Sequence, residues 1–138
     1  MNSIVELKKI STNFSILYVE DDKVLSDETI IFLKKLFDRV DTGHNGVEGI
    51  NLYMQNSYDI VITDLKMPKM NGDKMIDKIK EINPNQTIII LTAYETSKKV
   101  TELLKKNVKF ILNKPINYME FIEVLEEICT FLQAKVKR

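Results

Sequence analysis

The sequence has very little of what disulfide-rich, metal-knuckle and membrane proteins require. Its single cysteine, Cys129, cannot form an internal disulfide. No apolar stretch approaches the roughly 18 residues of a membrane span. Residues 1–14 carry charges within their only apolar region, unlike a signal peptide. We therefore expect a cytoplasmic protein with no membrane partner.

The chain also has no excess of charge of either sign. The 20 basic and 20 acidic residues give a formal net charge of +0 and are interspersed along the chain, which argues against a basic face that binds nucleic acid. The chain also lacks a Gly-rich phosphate loop, a dinucleotide fingerprint and a Ser/His/Asp arrangement. The function classes that depend on these features are therefore disfavoured.

What the chain does contain is an alternation of strand-length apolar runs with segments of helical periodicity. Its 138 residues match the usual size of one domain. The pattern predicts strands over 15–19, 40–43, 59–63, 87–91 and 109–112, and helices over 24–37, 45–55, 75–82, 97–106 and 118–135. Five βα repeats imply an α/β fold, a doubly wound parallel sheet with right-handed crossovers. We expect the domain to span 15–135, with 1–14 as an extension that has enough apolar residues for a short helix.

Polar side chains follow the predicted strands at the points where the strands end. Glu20 and Asp21 follow the first strand, Asp64 the third, Thr92 the fourth and Lys114 the fifth. In a doubly wound sheet these carboxyl ends lie side by side, and ligands collect there. We therefore expect the five side chains to form one site.

Three carboxylates in one place repel each other unless a cation or a proton lies among them. Carboxylate oxygens are also ligands that Mg²⁺ prefers. The sequence therefore predicts a site for Mg²⁺, with Mn²⁺ as the alternative. Asp21 and Asp64 are expected to be direct ligands, and Glu20 is expected to act through a water.

Asp64 is the candidate for covalent chemistry at this site. An aspartate can attack phosphorus and form a mixed anhydride. A metal ion and Lys114 would neutralise the oxygens of the transferring group, and the Thr92 hydroxyl could donate to one of them. The interpretation is a phosphoryl-accepting aspartate.

Four segments together resemble the receiver domain of two-component response regulators. They are ILYVEDD at 16–22, DIVITDLKMPKMNG at 59–72, ILTA at 90–93 and NKP at 113–115. The resemblance implies a flavodoxin-like fold with strand order 2-1-3-4-5 and five flanking helices. It also implies a signalling phosphoacceptor rather than an enzyme, which takes phosphate from a histidine kinase or phosphotransfer protein and controls an output partner.

The resemblance implies a role for each of the site residues. Asp64 would be the phosphoacceptor, Thr92 the switch hydroxyl and Lys114 the phosphate partner. The metal ligands would be Glu20, Asp21, Asp64 and the backbone carbonyl of Lys66. Ala93 would leave room for the phosphate to enter.

One position departs from the family pattern. An aromatic residue usually lies three residues before the lysine, and here that residue is Ile111. Phe110 is one residue earlier, and strand alternation turns it to the opposite face. We expect a weakened aromatic switch, unless Tyr94 or Phe110 substitutes for it.

Two alternatives remain open. The first is a degenerate receiver that binds partners without phosphorylation; Ile111 favours it, whereas Asp64 and Lys114 together argue against it. The second is a Mg²⁺-dependent phosphohydrolase, which normally needs an acid or base beside the nucleophile, and Lys66 offers none. The sequence fits both a stand-alone receiver and part of a longer regulator.

Some polar and special residues have structural explanations. Asp22 is expected to cap a helix, and Asp59 precedes its strand and should lie at the opposite end of the sheet. Gly72 is expected to adopt a positive φ. His44 is expected on the surface, and the bond before Pro115 is a candidate for a cis peptide.

Overall fold

Short β-branched runs and amphipathic segments alternate along the chain, and they form strands and helices in turn. The computed structural model describes residues 3–93 and 96–136. Its strands are β1 (Ser15–Val19), β2 (Arg39–Gly43), β3 (Ile60–Thr63), β4 (Thr87–Thr92) and β5 (Phe110–Asn113). Its helices are α1 (Ser3–Ser11), α2 (Lys23–Lys34), α3 (Gly46–Gln55), α4 (Gly72–Ile82), α5 (Ser97–Lys105) and α6 (Tyr118–Val136).

The five strands form one parallel sheet in the order β2-β1-β3-β4-β5. The predicted α/β fold and strand order are therefore confirmed. Val19 lies beside both Gly43 and Thr63, and Thr92 lies beside Asn113. The residues that follow the strands thus share one edge of the sheet, which we call the carboxyl edge. The residues that precede the strands form the opposite, amino edge.

The apolar core lies on both faces of this sheet. In β1, Ile16 and Tyr18 belong to the cluster covered by α1, α2 and α6, whereas Leu17 and Val19 belong to the cluster covered by α3, α4 and α5. None of these four side chains is more than 1% exposed. Burial on both faces explains why β1 and its central neighbours are nearly continuous apolar runs rather than alternating ones.

Two helix boundaries differ from the predictions by more than one residue. α2 ends at Lys34 rather than at residue 37, because the next two amides donate to carbonyls three residues earlier and tighten the chain. α4 begins at Gly72 rather than at residue 75, because Asn71 Oδ1 accepts a hydrogen bond from Lys74 N (3.0 Å). Apolar periodicity did not mark this polar first turn.

The N-terminal extension contributes a sixth helix beside the five of the βα repeats. Leu7 of α1 is 0% exposed within the cluster that α6 also covers. Ser11 Oγ donates to Leu36 O (2.5 Å), which ties the end of α1 to the turn after α2. α1 is therefore packed into the domain. Among the described helices, none is long and apolar enough to cross a bilayer.

Candidate functional site

Backbone pairing brings the ends of β1, β3 and β5 together at the carboxyl edge. Asp64 N donates to Val19 O (3.2 Å), which extends the β1–β3 pairing by one residue. Lys114 N donates to Thr92 O (2.7 Å), which does the same for β4 and β5. The side chains of Asp64 and Lys114 are therefore placed by the sheet itself rather than by a mobile loop.

Three carboxylates meet at this edge, as the sequence predicts. One carboxylate oxygen from each of Glu20, Asp21 and Asp64 lies within 4.8 Å of the others. Glu20 is 1% exposed, Asp64 is half-buried and Asp21 is exposed. A buried carboxylate beside two others is costly unless positive charge compensates it.

Lys114 supplies positive charge from β5. Its Nζ lies 2.6 Å from Glu20 Oε1 and 2.8 Å from Asp64 Oδ2. The contact with Asp64 was expected, but the contact with Glu20 was not. The sequence could not have shown it, because the two residues are 94 positions apart and both side chains are buried only in the folded sheet.

The pKa values of this pair follow from burial and pairing. Burial raises the pKa of Glu20 above its ordinary value, and the hydrogen bond from Lys114 only partly offsets this. Burial alone would lower the pKa of Lys114, but the hydrogen bonds and charges of Asp64 and Glu20 raise it. Lys114 therefore stays a cation at neutral pH.

Backbone amides orient the carboxylates of Glu20 and Asp64. Asp22 N donates to Glu20 Oε2 (3.2 Å), while Asp22 Oδ1 caps α2 by accepting from Leu25 N (3.1 Å). The predicted cap is confirmed, and the orienting role of the Asp22 amide is new. Asp64 Oδ1 accepts from Leu65 N (2.6 Å). Both carboxylates are thus held in defined orientations.

Gly72 allows α4 to begin close to the backbone of Asp64 because it has no side chain. The prediction of a positive φ at Gly72 is wrong, since no glycine among the described residues has one; Lys69, with φ 66°, takes that conformation in the same loop. A Cβ atom on Gly72 would lie 2.1 Å from Asp64 O. Glycine is needed there because α4 begins directly against the backbone of the aspartate.

The remaining predicted residues lie on β4, on β5 and in the loop after Asp64. Thr92 is 2% exposed at the end of β4, and Lys66 is exposed two residues after Asp64. Ile111 packs against the apolar cluster on the α3–α4–α5 face of the sheet. Phe110 packs against the apolar cluster on the α6 face, as strand alternation predicts. Tyr94, the other aromatic considered, lies outside the described residues.

The structural explanations for other residues fit as well. Asp59 lies at the amino edge, where Oδ2 accepts from Ser15 N (2.8 Å). His44 is exposed, and Cys129 is buried in the core. The Lys114–Pro115 peptide is cis. None of these residues except Lys114 belongs to the carboxylate cluster.

The family model for the response regulator receiver domain matches residues 16–126. This is most of the chain, and it includes every residue of the cluster. The chain belongs to the receiver domain family. Receiver domains are signalling phosphoacceptors of two-component systems; they bind Mg²⁺ through an acidic pocket and interact with histidine kinases and output domains.

Known proteins similar to this receiver domain include longer regulators. The uncharacterized transcriptional regulatory protein YesN of Bacillus subtilis is 30% identical over 126 residues, which cover 87% of this chain but 33% of that protein. The receiver domain thus spans about a third of that relative.

Two solved structures resemble the receiver domain in fold. The N-terminal domain of an uncharacterized Wolinella succinogenes protein is 30% identical with a TM-score of 0.84, covering 89% of this chain and 99% of that one. A chain of the CheX-CheY-BeF3-Mg²⁺ complex of Borrelia burgdorferi is 26% identical with a TM-score of 0.77, covering 91% and 98%. Both likenesses extend over nearly the whole chain.

Proposed function

We propose that this receiver domain accepts a phosphoryl group on Asp64 and thereby controls the binding of an output partner. The observation that carries the proposal is the carboxyl edge itself, where three carboxylates lie within 4.8 Å and Lys114 Nζ lies 2.8 Å from Asp64 Oδ2. A carboxylate between a cation site and a lysine has what attack on phosphorus requires.

The donor set at the carboxyl edge fits Mg²⁺. Glu20, Asp21 and Asp64 offer hard oxygen ligands, and only Lys114 among the described residues compensates their charge within 4.0 Å. We assign Asp21 and Asp64 as direct ligands, Glu20 as a ligand through water, and the Lys66 carbonyl as a further ligand. When bound, Mg²⁺ or Mn²⁺ would neutralise the charge that develops on the phosphoryl oxygens.

Three side chains then have separate roles in phosphoryl transfer. An Asp64 oxygen forms the new bond to phosphorus as the bond to the donor breaks. Lys114 compensates the charge of the transferring group, and its second contact to Glu20 keeps the ammonium in place. The Thr92 hydroxyl donates to a phosphoryl oxygen and so links β4 to the modification.

The phosphate donor that suits this site is the phosphohistidine of a histidine kinase or phosphotransfer protein. A groove of about 530 Å³ beside Lys114 gives such a partner access. It is lined by Asp22, Leu25, Glu28, Lys114, Pro115, Ile116 and Tyr118. We place the domain in the cytoplasm with these partners, and take 15–135 as the receiver, with α1 of the preceding extension packed against it.

Mass spectrometry after incubation with acetyl phosphate and Mg²⁺ tests the proposal. One phosphoryl group is expected on the wild-type protein and on Asp59→Asn, a matched control at the amino edge. None is expected on Asp64→Asn. Labelling that persists in Asp64→Asn, or that maps to His44 or a serine, would overturn the assignment. A protein that takes up no label in folded form would instead favour the degenerate receiver.

A further inference from the structure

α4 and α5 are held to the domain in different ways. α4 buries Met75, Ile76 and Ile79 completely. α5 buries only Leu103, and all nine of its residues are described. Because apolar burial is the main favourable term in packing, α5 has a weak hydrophobic anchor. Its position must depend strongly on other contacts.

Four charged side chains join the two helices, and we call them the α4–α5 charge cluster: Asp73 and Asp77 of α4, Lys99 of α5 and Lys106 at its C-cap. Lys99 Nζ lies 2.6 Å from Asp73 Oδ2, and Lys106 Nζ lies 2.9 Å from Asp77 Oδ1. Asp73 and Asp77 are four residues apart and share one face of α4. The cluster therefore ties both ends of α5 to that face.

The pairs of this cluster are partly shielded from water. The side chains of Asp73 and Lys99 are each 25% exposed. Asp73 Oδ1 is buried and accepts no hydrogen bond from the described residues; Lys106 Nζ lies 4.0 Å from it. Fully exposed ion pairs contribute little, but a charge that is partly desolvated depends more strongly on its partners. Loss of Lys99 would leave Asp73 poorly compensated.

The charge cluster also joins the helices that follow two residues of the proposed phosphorylation site, Asp64 and Thr92. Asp73 follows Gly72, whose amide donates to Leu65 O (2.6 Å) and which has no room for a Cβ beside Asp64 O. α5 follows β4, which ends at Thr92. The charge cluster thus connects the helix after Asp64 to the helix after Thr92, and the α4 side of the connection is rigidly placed.

We propose that the α4–α5 charge cluster is an electrostatic latch that sets the position of α5. With the latch closed, α5 stays docked against α4. With one pair broken, only Leu103 and the remaining ion pair hold the helix, and α5 opens more often. The consequence for signalling rests on the proposed function: phosphorylation of Asp64 would act on an equilibrium that the latch already biases.

Amide hydrogen exchange in the unphosphorylated protein tests the latch directly. Lys99→Met and Asp73→Asn are each expected to speed exchange in α5 about fivefold while exchange in β3 stays unchanged. Lys98→Met is the matched control, because Lys98 is exposed on the same helix and forms no ion pair with the described residues. Equal acceleration in Lys98→Met would overturn the latch.

A double variant and added salt show whether faster exchange in α5 comes from loss of the ion pair or from a change in helix propensity. Asp73→Asn/Lys99→Met is expected to exchange no faster in α5 than the faster single variant. Ionic strength of about 1 M, where the Debye length is about 3 Å, is expected to speed α5 exchange in the wild type and not in the double variant. Additive single effects, or a wild type that does not respond to salt, would contradict the proposal.

These measurements need no phosphate and so remain informative if Asp64 is not the acceptor. If α5 exchange responds as expected while Asp64→Asn still takes up phosphate, the proposed function fails and the latch stands. The coupling is measured separately with beryllofluoride and Mg²⁺. Asp73→Asn is expected to change beryllofluoride affinity about two- to fivefold relative to Lys98→Met, and equal affinities would overturn the coupling.

Discussion

The two edges of the sheet both bury polar groups, but they compensate them differently. At the amino edge, Gln86 is 4% exposed, and its Oε1 accepts from Tyr53 OH (2.7 Å) while its Nε2 donates to Asp59 O (3.1 Å). Lys80 Nζ donates to Gln86 O (2.8 Å) and to two further carbonyls at 3.2 Å. This network is closed, with one ammonium surrounded by carbonyl oxygens.

The carboxyl edge is not closed in this way. It places the carboxylates of Glu20, Asp21 and Asp64 against the single ammonium of Lys114. Excess negative charge at a partly buried position costs stability. The amino edge therefore stabilises the fold, whereas the carboxyl edge keeps a charge imbalance, which a cation and a phosphoryl group would use in the proposed function.

Removal of a hydrogen-bonding side chain from the amino edge is expected to destabilise the protein most. Gln86→Ala removes the partner of the Tyr53 hydroxyl and leaves Asp59 O unpaired, so we expect a loss of about 2–3 kcal/mol in the free energy of unfolding. Urea unfolding measures it, with Asn85→Ala, an exposed neighbour, as the control. Acetyl phosphate labelling of Asp64 should persist in the folded variant. Lost labelling with unchanged stability would show that the edges are not separate in function.

At the carboxyl edge, the expected effect on stability is smaller and has the opposite sign. Asp21→Ala should weaken Mg²⁺ binding about 100-fold and Glu20→Gln about tenfold, since losing a direct ligand costs more than losing one that acts through water. Without metal, Asp21→Ala should be at least as stable as the wild type, because repulsion is relieved. NMR titration and urea unfolding measure the two quantities. Equal Mg²⁺ affinity in all three proteins would refute this ligand assignment.

The third prediction has the least effect and concerns how far a structural change at the carboxyl edge spreads to β5. With Ile111 on the α3–α4–α5 side of β5, beryllofluoride should perturb NMR signals near Thr92 strongly and the surface of β5 only modestly. Ile111→Tyr should enlarge the distal response while changing stability by less than about 1 kcal/mol. Phe110→Leu, on the other face, serves as the control. If the wild type already rearranges α5 and β5 fully and Ile111→Tyr adds nothing, the weakened-switch hypothesis is wrong.

Much of the fold could be predicted from the sequence because its signals are local. The apolar runs around Ile16, Ile60 and Ile88 predicted three central strands, and all three are buried as expected. Boundaries were less accurate, since the first turn of α4 is polar and its start depends on the Asn71 cap. The sequence marks Gly72 as special, but its role is a close approach between backbones rather than a positive φ. A close approach between backbones leaves no local signal, whereas a positive φ is the usual reason for a glycine in a loop.

The order of residues specifies which chemical groups are available and where they lie along the chain. The order of strands and helices placed Glu20, Asp21, Asp64, Thr92 and Lys114 at one edge, because parallel strands of a doubly wound sheet end together. The pairing of these groups, in contrast, depends on the folded molecule. The shared contact of Lys114 with Glu20 and Asp64, the position of Asp64 against Gly72 and the ion pairs between α4 and α5 all join residues that are distant in sequence or on separate elements. Such pairings depend on distance and burial in the folded molecule, because Coulomb energy and desolvation vary with both.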